Sequence, residues 1–287
     1  MNLLIRSDSS SQIGLGHIMR DLVLAETYCG ANITFACRDL PGNIIDKIPY
    51  PVHILSSDTP EELIEIIRVH AIDMVIFDHY GIDAAYEKRV KEETGITLLC
   101  LDDTYQPHHC DILLNPNLYA QSERYGSLVP EYCELRCGVS LIRKEFKIAK
   151  QHPKPPIDTL FIAMGGSDPA NLSGQILEVL ASDTKIHLVT TSSNPHLETL
   201  QRYTARFPNL QIHLNAGNIA EVMQQCSFAI ITPSSIAQEV MFMGLPFIAV
   251  QSADNQKEFT AYMQREGLSV MESFEPNAFI ALLERLQ

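Results

Sequence analysis

The strongest constraint in this sequence is the regular alternation of short apolar runs with longer amphipathic segments from one end of the chain to the other. Repeated β-α units around a mostly parallel sheet produce that alternation, because a strand buried on both faces is apolar throughout and a covering helix is apolar along one side. In the first half it predicts strands at Asn2 to Arg6, Ile33 to Cys37, Met74 to Asp78, Thr97 to Leu101 and Ile112 to Asn115. Helices are predicted at Ile18 to Tyr28, Pro60 to His70 and Asp83 to Glu93, the last two with acids early in the helix, where the dipole favours them. Around residue 150 the pattern breaks into the polar, proline-rich run Lys150 to Pro156, which neither a helix nor a central strand tolerates. The alternation then restarts, with strands predicted at Thr159 to Met164, Lys185 to Thr190, Leu210 to Leu214, Phe228 to Thr232 and Phe247 to Val250. Helices are expected near Ala170 to Leu180, Glu221 to Cys226, Ser235 to Phe242 and Gln256 to Glu266. The expectation is an α/β protein of two Rossmann-like domains, 1–150 and 151–287, facing across a cleft onto which the carboxyl ends of the strands open.

Charge narrows the partners. A formal charge of -14 repels a polyanion over most of the surface, so no nucleic-acid partner is expected. A phosphorylated small molecule remains compatible, since backbone N–H groups and helix N-termini hold phosphate without net positive charge. The seven cysteines, Cys29, Cys37, Cys100, Cys110, Cys133, Cys137 and Cys226, are odd in number and mostly sit within apolar runs, as buried thiols in a reducing compartment do. No signal peptide is expected ahead of the strand-like NLLIR, and no apolar run approaches the ~20 residues of a membrane span. The chain is read as cytoplasmic and monomeric, with no membrane partner.

Three constellations carry chemistry, each directly after a predicted strand. The first is RSDSSSQIGLGH, from Arg6 to His17, where glycines let the backbone approach a ligand and His17 opens a helix. The positive end of that helix dipole is expected to keep the imidazole neutral near pH 7, which suits a general base. A glycine-rich turn in which His17 only caps or packs fits the same residues. The run lacks the third glycine of a dinucleotide fingerprint. The second is MGGSDPAN, from Met164 to Asn171, whose two glycines expose N–H groups suited to a pyrophosphate; a plain tight turn with an Asp-Pro helix start is the alternative. The third is TPSSIAQE, from Thr232 to Glu239, in which Ser234 or Ser235 caps a helix. Glu239 then lies one turn further, ~6 Å along the axis, where a carboxylate can grip ribose hydroxyls. A simple helix start reads equally well.

Other features are weaker. Asp78, His79 and Tyr80 end a strand at the side that usually faces a ligand, as do Asp102 and Asp103, for which a structural role is as good a reading. His108, His109, Cys110 and Asp111 look like metal ligands, but adjacent residues of an extended segment point to opposite sides. Cys133 and Cys137 lack a second ligand pair, so no metal and no cofactor are expected.

With these residues in view, the chain resembles the nucleotide-sugar hydrolases of pseudaminic acid biosynthesis, which act on UDP-2,4-diacetamido-2,4,6-trideoxy-β-L-altropyranose. The resemblance covers most of the chain up to about Gly267. It rests on Arg6 to Ala25, Asp78 to Asp83, Pro107 to Ala120, Met164 to Ser173, Thr191 to Leu197, and the SSIAQE and DNQ stretches ending at Glu239 and Gln256. It implies a fold similar to the GT-B glycosyltransferases, His17 as the catalytic base, and UDP held by the second domain at positions including Asn171 and Glu239. Joined to the residue reading, the expected substrate contacts are Arg6, Asp8, Gly14, Gly16, Asp78, His79, Tyr80, Asn171 and Glu239, and the expected phosphate contacts Gly165, Gly166, Ser167, Ser234, Ser235 and Gln256. The implied mechanism has neutral His17 deprotonate a water that attacks C1 opposite the UDP, inverting the anomeric centre without a metal. A UDP-sugar glycosyltransferase of the same fold, or a non-catalytic nucleotide-sugar binding module, fits the pattern as well.

Overall fold

The computed structural model describes residues 1–10, 12–152 and 157–286; Ser11 of the first loop, residues 153–156 of the proline-rich run and Gln287 lie outside the described residues. The chain divides into two compact units, Met1–Leu141 and Ile142–Gln287. The division falls ahead of the break read from the proline-rich run. The reason is a helix, Lys144–Gln151, whose apolar side buries Phe146 and Ala149 within the second unit. Gln224 donates to the carbonyls of Ala149 and His152 at its end, so Lys150 and Gln151 close a helix.

The first unit contains β1 (Asn2–Ser7), α1 (Gly16–Ala25), β2 (Asn32–Arg38), β3 (Val52–Leu55), α2 (Pro60–Val69), β4 (Met74–Asp78), α3 (Ala84–Thr94), β5 (Thr97–Leu101), β6 (Ile112–Asn115) and β7 (Glu134–Cys137). Among the described residues the strands form one parallel sheet in the order β3-β2-β1-β4-β5-β6-β7. Successive side chains of a strand face opposite ways, and the two cores follow that parity: Leu4, Val75, Phe77 and Leu98 pack on one face, Leu3, Ile5, Ile76 and Leu99 on the other. Helix α3 starts because the Asp83 carboxylate accepts from the Tyr86 N–H at 2.9 Å, and ends at Gly95 in the left-handed region.

The second unit contains α4 (Lys144–Gln151), β8 (Ile157–Ala163), α5 (Leu172–Val179), β9 (Ile186–Thr190), α6 (Leu197–Arg202), β10 (Leu210–Leu214), α7 (Ile219–Met223), β11 (Cys226–Ile231), α8 (Ser235–Met243), β12 (Phe247–Val250), α9 (Lys257–Arg265), β13 (Val270–Met271) and α10 (Pro276–Leu286). Its sheet is again parallel, in the order β10-β9-β8-β11-β12-β13. Leu160, Ile162, Ile186, Leu188, Phe228, Ile230 and Ile248 form its core with Ile176 and Leu177 of α5. In each sheet the strand order reverses beside the first strand, between β1 and β4 and between β8 and β11. Such a reversal opens a crevice at the carboxyl ends of those strands. The three predicted constellations therefore sit where parallel α/β sheets bind ligands.

Candidate active site

In the first unit the reversal brings the loop after β1 against the end of β4. Gly14 adopts φ +88, a conformation that only glycine takes without strain, and exchanges backbone hydrogen bonds with Ser10, folding the loop into a tight bridge. Helix α1 follows from Gly16, which has open space where a Cβ would stand. His17, almost fully buried, turns Nδ1 to Asp78, 3.1 Å from both its carbonyl oxygen and its Oδ1. Nε2 has no hydrogen-bond partner among the described residues, and the Tyr80 ring meets the imidazole edge-on at 4.6 Å. Asp78 also receives Arg20, whose Nε and Nη2 approach its two oxygens at 2.6 and 2.5 Å. Arg20 reaches on to Asp103 at 2.6 Å, and Asp103 accepts the Tyr80 hydroxyl at 2.9 Å.

This network changes one expectation. Asp78 is bonded by both His17 and Arg20 and so braces the imidazole. The helix dipole does not set the balance at the ring. Burial disfavours the imidazolium, but the hydrogen bond and charge of Asp78 outweigh burial and raise the His17 pKa above 6.5. Beneath lies Asp21, fully buried and with neither oxygen hydrogen-bonded; burial first, then the adjacent Asp78 charge, lifts its pKa far above the carboxylate range. Of the two neighbouring carboxyls, burial thus favours the protonated form at Asp21, while Arg20 and His17 favour the charged form at Asp78.

Arg6, Asp8 and His79 form a second, deeper network. Arg6 and Asp8 are completely buried and paired in two bonds of 2.7 and 3.1 Å; Asp58 joins through Arg6, and Arg38 binds Asp8 through its backbone N–H and Nε. The His79 Nε2 lies 3.1 Å from Asp8 and its Nδ1 accepts from the Gly81 N–H. Burial opposes the charge on Asp8, but His79 and Arg6 hold its carboxyl far below the usual range. These three expected substrate contacts are thus bonded to one another and frame the floor of the loop.

In the second unit Gly165 (φ +87), Gly166 and Ser167 form an exposed turn after β8. The N–H groups of Gly166 and Ser167 have no acceptor among the described residues. The helix that follows is already capped: buried Asp168 accepts from Leu172 and Ser173 at 2.8 and 2.9 Å, which puts a carboxylate where an anion would otherwise sit. Asn171 is left-handed at φ 51 with its Oδ1 buried and unpartnered. After β11 the opposite holds. Ser234 occupies the N-cap position of α8, yet its hydroxyl pairs with Thr232 at 3.0 Å and does not cap. The expected serine cap is therefore not formed, and among the described residues no side-chain hydrogen bond caps the start of α8. Glu239, one turn further and buried, receives Arg143 in a two-pronged ion pair, Nε to Oε1 at 2.6 Å and Nη2 to Oε2 at 2.7 Å. The Gln256 Oε1 is tied to Ser252, so the acceptor end of that predicted phosphate contact closes its own loop.

No protein-family model matches the chain. It is 45% identical over 273 residues to the UDP-2,4-diacetamido-2,4,6-trideoxy-beta-L-altropyranose hydrolase of Campylobacter jejuni, an alignment spanning 94% of this chain and 98% of that protein. The chain belongs to this hydrolase family. Its fold is shared with MurG of Acinetobacter baumannii, at TM-score 0.63 and 13% identity over 99% of this chain and 90% of the other. UDP-GlcNAc 2-epimerase of Methanocaldococcus jannaschii aligns at TM-score 0.60 and 12% identity over 100% and 92%. Both likenesses are of fold, and the two parallel-sheet α/β domains are of GT-B type.

In this hydrolase the histidine pair of the first unit divides as extended backbone requires: His108 Nδ1 meets Glu87 at 2.7 Å, while His109 Nε2 lies 3.4 Å from the Tyr132 hydroxyl. Glu87, Cys100 and His108, and likewise Asp8, Asp58 and His79, bring possible ligand atoms within 4.8 Å of one another. Glu87 is already bonded to His108 and to the His109 N–H, and Asp8 to its arginines. Among the described residues no helix is long and apolar enough to cross a membrane. Sequence reasoning missed Arg20, Arg143 and the capping role of Asp168. Arg20 follows His17 by three positions and so shares its helix face, a signal that was legible. Arg143 carries none, because its partner lies 96 residues away.

Proposed function

We propose that this hydrolase converts UDP-2,4-diacetamido-2,4,6-trideoxy-β-L-altropyranose and water to UDP and the free 2,4-diacetamido-2,4,6-trideoxy sugar, as a metal-independent cytoplasmic step of pseudaminic acid biosynthesis. The observation that carries the reading is the His17–Asp78 pair: Nδ1 is fixed on Asp78, which leaves Nε2 to accept a proton. The water oxygen attacks the anomeric carbon and its proton passes to Nε2. The bond from C1 to the β-phosphate oxygen breaks, its electron pair leaves on UDP, and the configuration at C1 inverts. Asp78 stabilises the imidazolium so formed. The first unit supplies this base, with Gly14, Gly16 and Tyr80 around the sugar. The second holds UDP through the Gly165–Gly166–Ser167 turn, Asn171, the uncapped start of α8 at Ser234 and Ser235, and Glu239 on the ribose.

Incubation with the UDP-sugar in ¹⁸O-water, without any acceptor, tests the reaction. Label on the anomeric hydroxyl and none on UDP is expected, with turnover unchanged by EDTA. Intact substrate, or label on the nucleotide, would reject it; intact substrate would favour a transferase awaiting an acceptor.

A further inference from the structure

We propose that Arg143 is a positioning residue that aims the Glu239 carboxylate at the ribose hydroxyls and so sets a preference for ribonucleotide over deoxyribonucleotide. The inference rests on the reading that the second unit binds UDP through Glu239.

Glu239 is 4% exposed, and a buried carboxylate needs a hydrogen-bonding partner to hold its orientation. Arg143 supplies it. Its planar fork meets both oxygens, which fixes the plane of the carboxylate as well as its charge. Each carboxylate oxygen has two acceptor directions, so one on each remains open, a spacing that matches two neighbouring hydroxyls. The guanidinium is itself held: Nη1 lies 3.0 Å from Glu145, and the group stacks over Phe146 at 4.9 Å. Strapping α4 to α8 does not need this pair. Lys150 already ties α4 to α8 by donating to the Phe242 carbonyl at 2.6 Å, and Gln224 at the end of α7 separately holds the carbonyls at the end of α4. The pair also stands one turn beyond an uncapped helix start, so the orientation it imposes is delivered beside the place read as the diphosphate site.

The test is calorimetric binding of UDP, 2′-deoxy-UDP and 3′-deoxy-UDP to wild type, Arg143→Lys, Glu239→Gln and Glu145→Gln. Lysine keeps a cation beside Glu239 but loses the fork, and thermal melts report whether each variant folds. Wild type is expected to prefer UDP over both deoxynucleotides. Arg143→Lys should weaken UDP roughly tenfold, as loss of a charged hydrogen bond does, and leave the deoxynucleotides nearly unchanged, so that the preference collapses. Glu145→Gln should keep the preference. Equal weakening of all three ligands, an unaltered preference, or tighter UDP binding from a guanidinium that had competed with ribose would each overturn the role of Arg143. If wild type shows no preference, or Glu239→Gln keeps it, the ribose role of Glu239 fails and this inference with it.

Discussion

His17 sits in two opposing environments. The first turn of α1 and burial both disfavour a positive ring, while Asp78 at 3.1 Å favours it, and the carboxylate prevails. A base works in its neutral form, so turnover should rise as pH climbs through the His17 pKa, and that limb of the kcat/KM profile is expected above 6.5. Asp78→Asn removes the stabilising charge and should move the limb to lower pH; an unmoved limb would separate Asp78 from the ionisation that governs rate. His17→Ala is expected to cut turnover by roughly 10² to 10⁴ and leave UDP affinity as it was, the loss typical of a positioned acid or base. The imidazole itself was legible in the sequence, because a glycine-rich loop after a strand led to it. The partner that sets its charge was not legible as such, since Asp78 lies 61 residues on and meets His17 only through the pairing of β1 with β4.

At the scale of elements, the helix starts beside the two sheet reversals differ in what stands before them. Helix α5 begins under the Asp168 carboxylate, whereas among the described residues no side-chain hydrogen bond caps α8, although it has two serines at its start. Asp168→Ala is expected to destabilise the second unit by about 1 kcal/mol, a typical value for a lost cap, seen as a lower melting temperature. An unchanged melt would mean that water serves those N–H groups equally well. Central strands were legible because burial on both faces makes them continuously apolar, as in β4 and β5. The strands that sequence reasoning missed, β3, β7 and β13, all lie at sheet edges, where one flank has no partner strand; VHIL and ELRC carry histidine, glutamate and arginine there. Helix α4 was missed for a related reason, since the polar side of KEFKIAKQ merges with the proline-rich run and only its packing against the second unit reveals the helix.

Over the whole molecule, each unit has its own sheet and core, and an ionic device buried in the first gives its stability a distinct pH response. Burial opposes a charge on His108, but Asp102, 4.0 Å from Nε2, and Glu87, 2.7 Å from Nδ1, outweigh it and push the imidazole up to about 9. The ordinary value, which an unfolded chain restores, is near 6.5. The folded state therefore binds the proton more tightly. Its contribution is complete below 6.5 and is lost as pH rises through about 9. Urea unfolding between pH 7.5 and 10, read as alkylation of buried Cys110 in the first unit and of buried Cys226 in the second, should show the Cys110 midpoint falling further with pH. The Cys226 profile corrects for the ordinary response of a thiol to pH. His108→Gln should lower the Cys110 midpoint at pH 7.5 and flatten its pH dependence. Parallel midpoints for the two thiols in wild type would place the first unit's alkaline sensitivity elsewhere than in the Glu87 hydrogen bond and the nearby Asp102 charge at this ring.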